Sequence, residues 1–152
     1  GAEVTGVCST KNMELVWELG ADHDIDYTKH DFAENENSYD LIYDTVGVRS
    51  FADCCKALRE YGVYASPVLG MPLLGQMMLS SFIGTKRAKF SATGTLPQKE
   101  TKRLLQLLIE IIEAGNLKGI VDRSYSLEEI VDAHEYVDKG HKTGNVVLKP
   151  VA

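Results

Sequence analysis

Cysteine is too sparse in this sequence, and wrongly spaced, for a disulfide or zinc scaffold. There are three: Cys8 alone, and Cys54 beside Cys55. Adjacent cysteines rarely bridge each other, no C-x-x-C pair exists, and no cysteine stands at zinc-ligand spacing from a histidine. The expectation is a reducing compartment and no metal. Positive charge is also short. A formal net charge of -6 is the wrong sign for a surface built to grip phosphate backbones, so no nucleic acid is expected as a partner. Long apolar runs are missing as well. The longest, at residues 77–83, is too short and too polar to span a membrane, and no basic segment followed by an apolar run opens the chain. A protein of the cytoplasm, or of an organelle lumen reached by a signal now missing, with no membrane partner is expected. There is no internal repeat and no low-complexity segment.

What is present suffices for one globular domain. The 152 residues are 44% hydrophobic and 25% charged, enough to bury a core. Hydrophobic patterning alternates between periods 2 and 3.6 along the chain. Residues 4–8 read as a strand. Residues 11–19 follow as a helix with Met13, Val16 and Trp17 at helical spacing, Ser9 or Thr10 as N-cap and Gly20 as stop. Residues 24–27 form a second strand and 41–46, LIYDTV, a third that ends at Gly47. A helix over 50–60 buries Phe51, Cys54, Cys55 and Leu58 and closes at Gly62. Residues 63–68 give a fourth strand, 72–83 a helix and 89–95 another strand.

The longest helix spans 98–114, and its band of Leu104, Leu105, Leu107, Leu108, Ile109, Ile111 and Ile112 is wide enough to pack on two sides. A strand near 122–125 precedes the capping-box pattern Ser126-Leu127-Glu128-Glu129. The helix it starts should turn Ile130, Ala133, His134 and Val137 inward and stop at Gly140, before a last strand in GNVVLKP. Strands and helices that take turns predict an α/β class, a parallel sheet covered on both faces and doubly wound. Ligands of such sheets lie at the carboxyl ends of the strands, which points to residues 8–11, Tyr27, 45–47 and 66–69.

The turn VCSTKN discriminates best among these. A coenzyme site for NAD places an acid at the tip of the second strand for the ribose hydroxyls, and that acid repels a 2′-phosphate. No acid stands at this tip, which offers instead Cys8, Ser9, Thr10 and Lys11, two hydroxyls and an ammonium that suit a dianionic phosphate. A helix beginning there adds amides and the positive end of its dipole. The same residues equally fit a plain helix cap with a solvated lysine.

Three blocks resemble the medium-chain dehydrogenase/reductase superfamily, in its zinc-independent quinone oxidoreductase-like branch: VTGVCSTKNMELVWELGADHDIDYTKHDF, YDLIYDTVG and IEAGNLKGIVDRSYSLEEIVDAHEYVDKGHKTGNVVLKP. The resemblance implies a Rossmann-type sheet that lacks its first strand and glycine-rich turn, since no G-x-G-x-x-G or A-x-G-G-V-G is present. It implies a partial NADP-binding domain over 1–97, and over 98–152 a linking helix and a segment that returns to a GroES-like catalytic domain. It further implies that this is the C-terminal, coenzyme-binding part of an NADPH-dependent oxidoreductase, inactive alone, completed by an N-terminal catalytic domain and acting on a quinone or activated carbonyl compound.

A sheet without its middle strand exposes unpaired edges, so a homo-oligomer is expected. Carried over onto matching positions, Ser9, Thr10, Lys11 and Tyr27 approach the 2′-phosphate, Thr45, Val46 and Gly47 border the coenzyme ribose, and His141 and Lys142 close near the phosphate. Pro67, Val68 and Leu69 stand where the family usually has a glycine. No general acid, nucleophile or metal cluster emerges: His23, His30, His134 and His141 are scattered, and Asp24 and Asp26 form no pair. Two other readings remain open, a Rossmann methyltransferase and a non-catalytic assembly module.

Overall fold

The computed structural model describes residues 1–140 and 142–150. The chain divides into two compact units, Gly1–Lys102 and the residues from Arg103 onward. It is an α/β protein, and among the described residues every strand pairing is parallel.

The first unit opens with β1 (Thr5–Cys8), a 3-10 turn at Thr10–Asn12, α1 (Met13–Glu18) and β2 (His23–Asp26), with β1 and β2 in register from Thr5 and His23 to Cys8 and Asp26. Gly6 is what lets the helix lie on this pair. A Cβ there would stand 2.3 Å from Val16 Cγ1, so any larger residue pushes α1 away. The expected helix begins with a tighter turn, and Ser9, at the capping position, makes no side-chain cap bond.

A three-stranded sheet follows in the order β3 (Tyr39–Tyr43), β4 (Leu58–Ser66), β5 (Arg87–Phe90), with α2 (Phe51–Cys54) and α3 (Met71–Phe82) between the strands. Its core is Ile42, Cys54, Ala57, Leu58, Tyr64, Leu73 and Ala88. The helix expected over 50–60 stops at Cys54. The carbonyls of Lys56 and Ala57 are taken by the amides of Asn37, Ser38 and Tyr39 at 2.9–3.0 Å, which leaves none for further helical turns. The chain enters β4 five residues earlier than the pattern at 63–68 suggests. It does so through an irregularity at Tyr61, whose φ of 66° is left-handed.

The second unit contains β6 (Val121–Ser126), α5 (Ile130–Asp138) and β7 (Asn145–Lys149), with β6 paired to β7. The capping-box glutamate is in place, its carboxylate accepting the Ser126 amide at 2.8 Å, although the helix proper starts only at Ile130. Of the four residues expected inward on α5, Ala133 alone is buried. The long helix α4 (Gln98–Glu113) buries none of its residues, so its broad apolar band is not covered on two sides as expected.

Candidate functional site

Two strand ends build the first cluster. Because Cys8 is in register with Asp26 and the Tyr27 amide bonds the Cys8 carbonyl at 3.0 Å, Ser9–Lys11 and Tyr27–Lys29 leave the pair side by side. Between them sits the Asp26 carboxylate, only 5% exposed. Thr10 donates its hydroxyl to Oδ2, and Lys29 Nζ lies 3.3 Å from the same oxygen. Thr28 donates its hydroxyl at 2.6 Å and its amide at 3.0 Å to Oδ1. These donors, the Thr10 hydroxyl foremost, hold the Asp26 carboxyl far below the usual carboxylate range.

An acid therefore does stand beside the tip of β1, supplied by the neighbouring strand. It is an anchor and not an open acceptor, since two oxygens offer about four lone-pair sites and all are engaged. The Thr10 proton points into it and away from any ligand. Lys11 and the Tyr27 ring are exposed, and Ser9 is half-buried. Beneath them, burial first and then the charges of Asp24 and Asp26 push the Cys8 thiol up. It is correspondingly less reactive, whatever the openness of the site.

A second cluster follows β3. Asp44 folds the turn after it back on itself. Oδ1 accepts the amides of Val46 at 3.1 Å and Gly47 at 2.7 Å; Oδ2 accepts the Arg49 amide at 2.9 Å. The Tyr64 hydroxyl, 2% exposed, shares its proton between Asp44 Oδ2 at 3.1 Å and the Arg49 carbonyl at 2.6 Å. Burial pushes the Asp44 carboxyl up, but the amides of Arg49, Gly47 and Val46 with the Tyr64 hydroxyl outweigh it and leave the group below its ordinary value. Burial and the adjacent Asp44 charge push Tyr64 up. Gly47 has φ +76°, and a Cβ there would meet Val68 Cβ at 2.7 Å. The close approach that glycine permits is thus to Val68. Arg49 pairs with Asp31 at 2.8 Å and lies over the Phe32 ring at 5.8 Å.

Between the clusters runs a groove of about 710 Å³, whose lining includes Val7, Tyr27, Leu41, Tyr43, Thr45 and Val46. Of the residues expected at a coenzyme, Tyr27, Thr45 and Val46 share this groove. Gly47 lies beside a smaller cavity of about 300 Å³ with Ser66 and Val68. Lys142 belongs to the second unit and gives its ammonium to the Gly144 carbonyl at 3.0 Å. His141 lies outside the described residues. Asp26 and Asp44 are the residues that sequence reasoning passed over. Their signals were Asp-x-Thr in DYT and Asp-x-x-Gly in DTVG, both patterns in which an aspartate at a strand end accepts the amides that follow it.

Strand pairs of this kind occur on many folds, so the match that decides the family is one of sequence. Residues 19–148 fit the family model described as zinc-binding dehydrogenase. The chain belongs to the zinc-binding dehydrogenase family. It is 29% identical to 2-methylene-furan-3-one reductase of Solanum lycopersicum, over 99% of this chain and 34% of that protein. It is 30% identical to the chloroplastic NADPH-dependent alkenal/one oxidoreductase of Arabidopsis thaliana, with the same 99% and 34% covered. The solved quinone oxidoreductase of Coxiella burnetii superposes with a TM-score of 0.74 at 25% identity, over 96% of this chain and 44% of that one. The chain thus spans about a third to a half of the length of these relatives. Despite the family's description, among the described residues no group of three or more His, Cys, Asp or Glu is placed to hold a metal ion. The described residues do not fit a zinc site.

Proposed function

We propose that this chain is the coenzyme-binding part of an NADPH-dependent oxidoreductase that reduces a quinone, enone or similarly activated carbonyl compound. Its first unit is then a doubly wound sheet in two pieces, with the coenzyme at the carboxyl ends of β1, β2 and β3. NADPH supplies the hydride, and the protein supplies binding and orientation. Substrate contacts and the active assembly, an oligomer in the cytoplasm, require residues beyond these. Support comes from the named activities of the relatives and from the geometry around Asp26.

That geometry carries the choice of NADPH over NADH. An adenosine ribose seeks a carboxylate with free lone pairs, and Asp26 has none to give. A 2′-phosphate seeks cations and donors. Lys11 and Lys29 supply cations here, set against the carboxylates of Asp24 and Asp26, and the exposed Tyr27 adds a hydroxyl. Thr10 serves here through Asp26, as part of the frame that fixes the turn. Thr45 and Val46, held by Asp44, border the ribose along the groove, and Gly47 shapes their turn. Because α1 has only six residues, its dipole adds little. Lys142, bonded within its own turn, carries no part of the proposal.

Amide NMR of the chain with 2′,5′-ADP and, separately, 5′-ADP tests the reading. Saturable shifts at residues 9–12 and 27–29, with a Kd of about 1 mM for the 2′-phosphorylated ligand and none for the other, are expected. Equal responses to both ligands contradict it.

A further inference from the structure

Cys8 does not stand alone at the end of β1. Its thiol points across to α1 and donates to the Met13 thioether at 3.5 Å. The strand-to-helix turn sets this contact. Gly6 lets α1 lie close on β1, which brings the first residue of the helix over the last residue of the strand. Both residues are half-buried, so the sulfur pair is held in place and is still reached from solvent. Its surroundings are negative. Gly6 is in register with Asp24 and Cys8 with Asp26, and side chains alternate along a strand, so both carboxylates lie on the face that carries the thiol. Burial first and then these two charges keep the proton on Cys8. The same charges draw a cation to the spot.

We propose that Cys8 and Met13 form a binding site for one soft monovalent metal ion, Cu(I) or its analogue Ag(I). Thiolate and thioether are the soft ligands a protein can offer, and they select Cu(I) over ions that prefer nitrogen or oxygen. The spacing suits a shared ion. Two metal–sulfur bonds of about 2.3 Å meet at roughly 100° across the 3.5 Å gap, which leaves the outer side open to a third donor such as a solvent molecule. Binding breaks the Cys8 S–H bond and forms a metal–thiolate bond. The proton leaves to water, and no electron is transferred. Zinc, which closes a structural site with four donors, finds no such set among the described residues.

The proposal goes beyond the coenzyme reading, and its test contains no coenzyme, so either can fail alone. The reduced chain is titrated without air against the bicinchoninate complex of Cu(I), whose colour fades as the protein takes the metal. One Cu(I) per chain is expected. Met13→Leu keeps the thiol and nearly the same volume and should weaken binding at least tenfold, while Cys8→Ser should abolish it. Cys55→Ser removes the other half-buried thiol and should change nothing. Methyl NMR of the unaltered chain, labelled at methionine, keeps the test independent of the variants' folding. Of the four methionines, Met13 alone should shift when Ag(I) is added, and Zn(II) should leave it in place. No binding, equal affinity after Met13→Leu, loss of the site with Cys55→Ser, a shift at Met71, Met77 or Met78 instead, or an equal Met13 response to Zn(II) each overturns the proposal.

Discussion

Replacing Gly47 with alanine isolates the turn that carries Thr45 and Val46. The Gly47 amide, which bonds Asp44 at 2.7 Å, survives in alanine, so the hydrogen bond is not what changes. Two other costs arise. Alanine at φ +76° takes a left-handed backbone worth about 1–2 kcal/mol. Its Cβ also meets Val68 at 2.7 Å from Cβ, 2.9 Å from Cγ2 and 3.0 Å from Cγ1, an overpacking of about 1–3 kcal/mol. Together they come to roughly 2–5 kcal/mol, a large share of the roughly 5–15 kcal/mol typical of a domain. Urea unfolding of Gly47→Ala, Val68→Gly and the double variant separates them. The crowding should vanish in the double variant as a coupling of about 1–3 kcal/mol, while the backbone cost remains. A Gly47→Ala loss below about 0.5 kcal/mol, or no coupling to Val68→Gly, would refute the reasoning.

Tyr64→Phe should cost about 1–2 kcal/mol in urea unfolding, since the Arg49 carbonyl and Asp44 Oδ2 both lose the hydroxyl proton they share; no loss means the hydroxyl is not part of the turn's support. Leu58→Ala, at a position with 0% exposure in the core, should cost about 2–5 kcal/mol, visible as a lower urea midpoint, and an unchanged midpoint contradicts the packing described. Asp26 has its folded pKa depressed. Its stabilisation is therefore fully present above the unfolded value of about 4 and is lost as pH falls toward the folded value. Thermal unfolding between pH 6 and 2.5 should show a shallower acid loss for Asp26→Asn than for the unaltered chain, and parallel curves would count against the anchor.

How much of this was legible in the sequence depended on how local the cause was. The strand at 4–8 and the helix behind it could be read because their signals are local, Met13, Val16 and Trp17 at helical spacing and Gly20 as the stop. The parallel class could be read because strands and helices alternate. The helix over 50–60 could not, because what ends it is the segment at 37–39, far away in sequence, taking the carbonyls of Lys56 and Ala57. Periodicity at Phe51, Cys54 and Leu58 is the same whether Leu58 ends a helix or begins a strand, and Leu58 and Cys54 are buried either way. The broad band on α4 promised two packed sides, but hydrophobic width says only how much surface seeks cover. At the site, residue type pointed to the exposed Lys11 and Tyr27. It did not show that Asp26, two residues along from Asp24 on the same strand, is buried beneath Thr10 and Thr28. Aspartate at a strand end reads alike in both settings until the neighbouring strand's register is known.

The central claim is that the Asp26 frame presents a 2′-phosphate site. Fluorescence titration of the chain with NADPH and NADH, alone and with Lys11→Glu, tests it most directly. A Kd for NADPH at least tenfold below that for NADH, with the preference erased by Lys11→Glu while NADH binding holds, is the predicted result. Equal affinity for the two coenzymes, a Lys11→Glu loss common to both, or no saturable signal from either would contradict it.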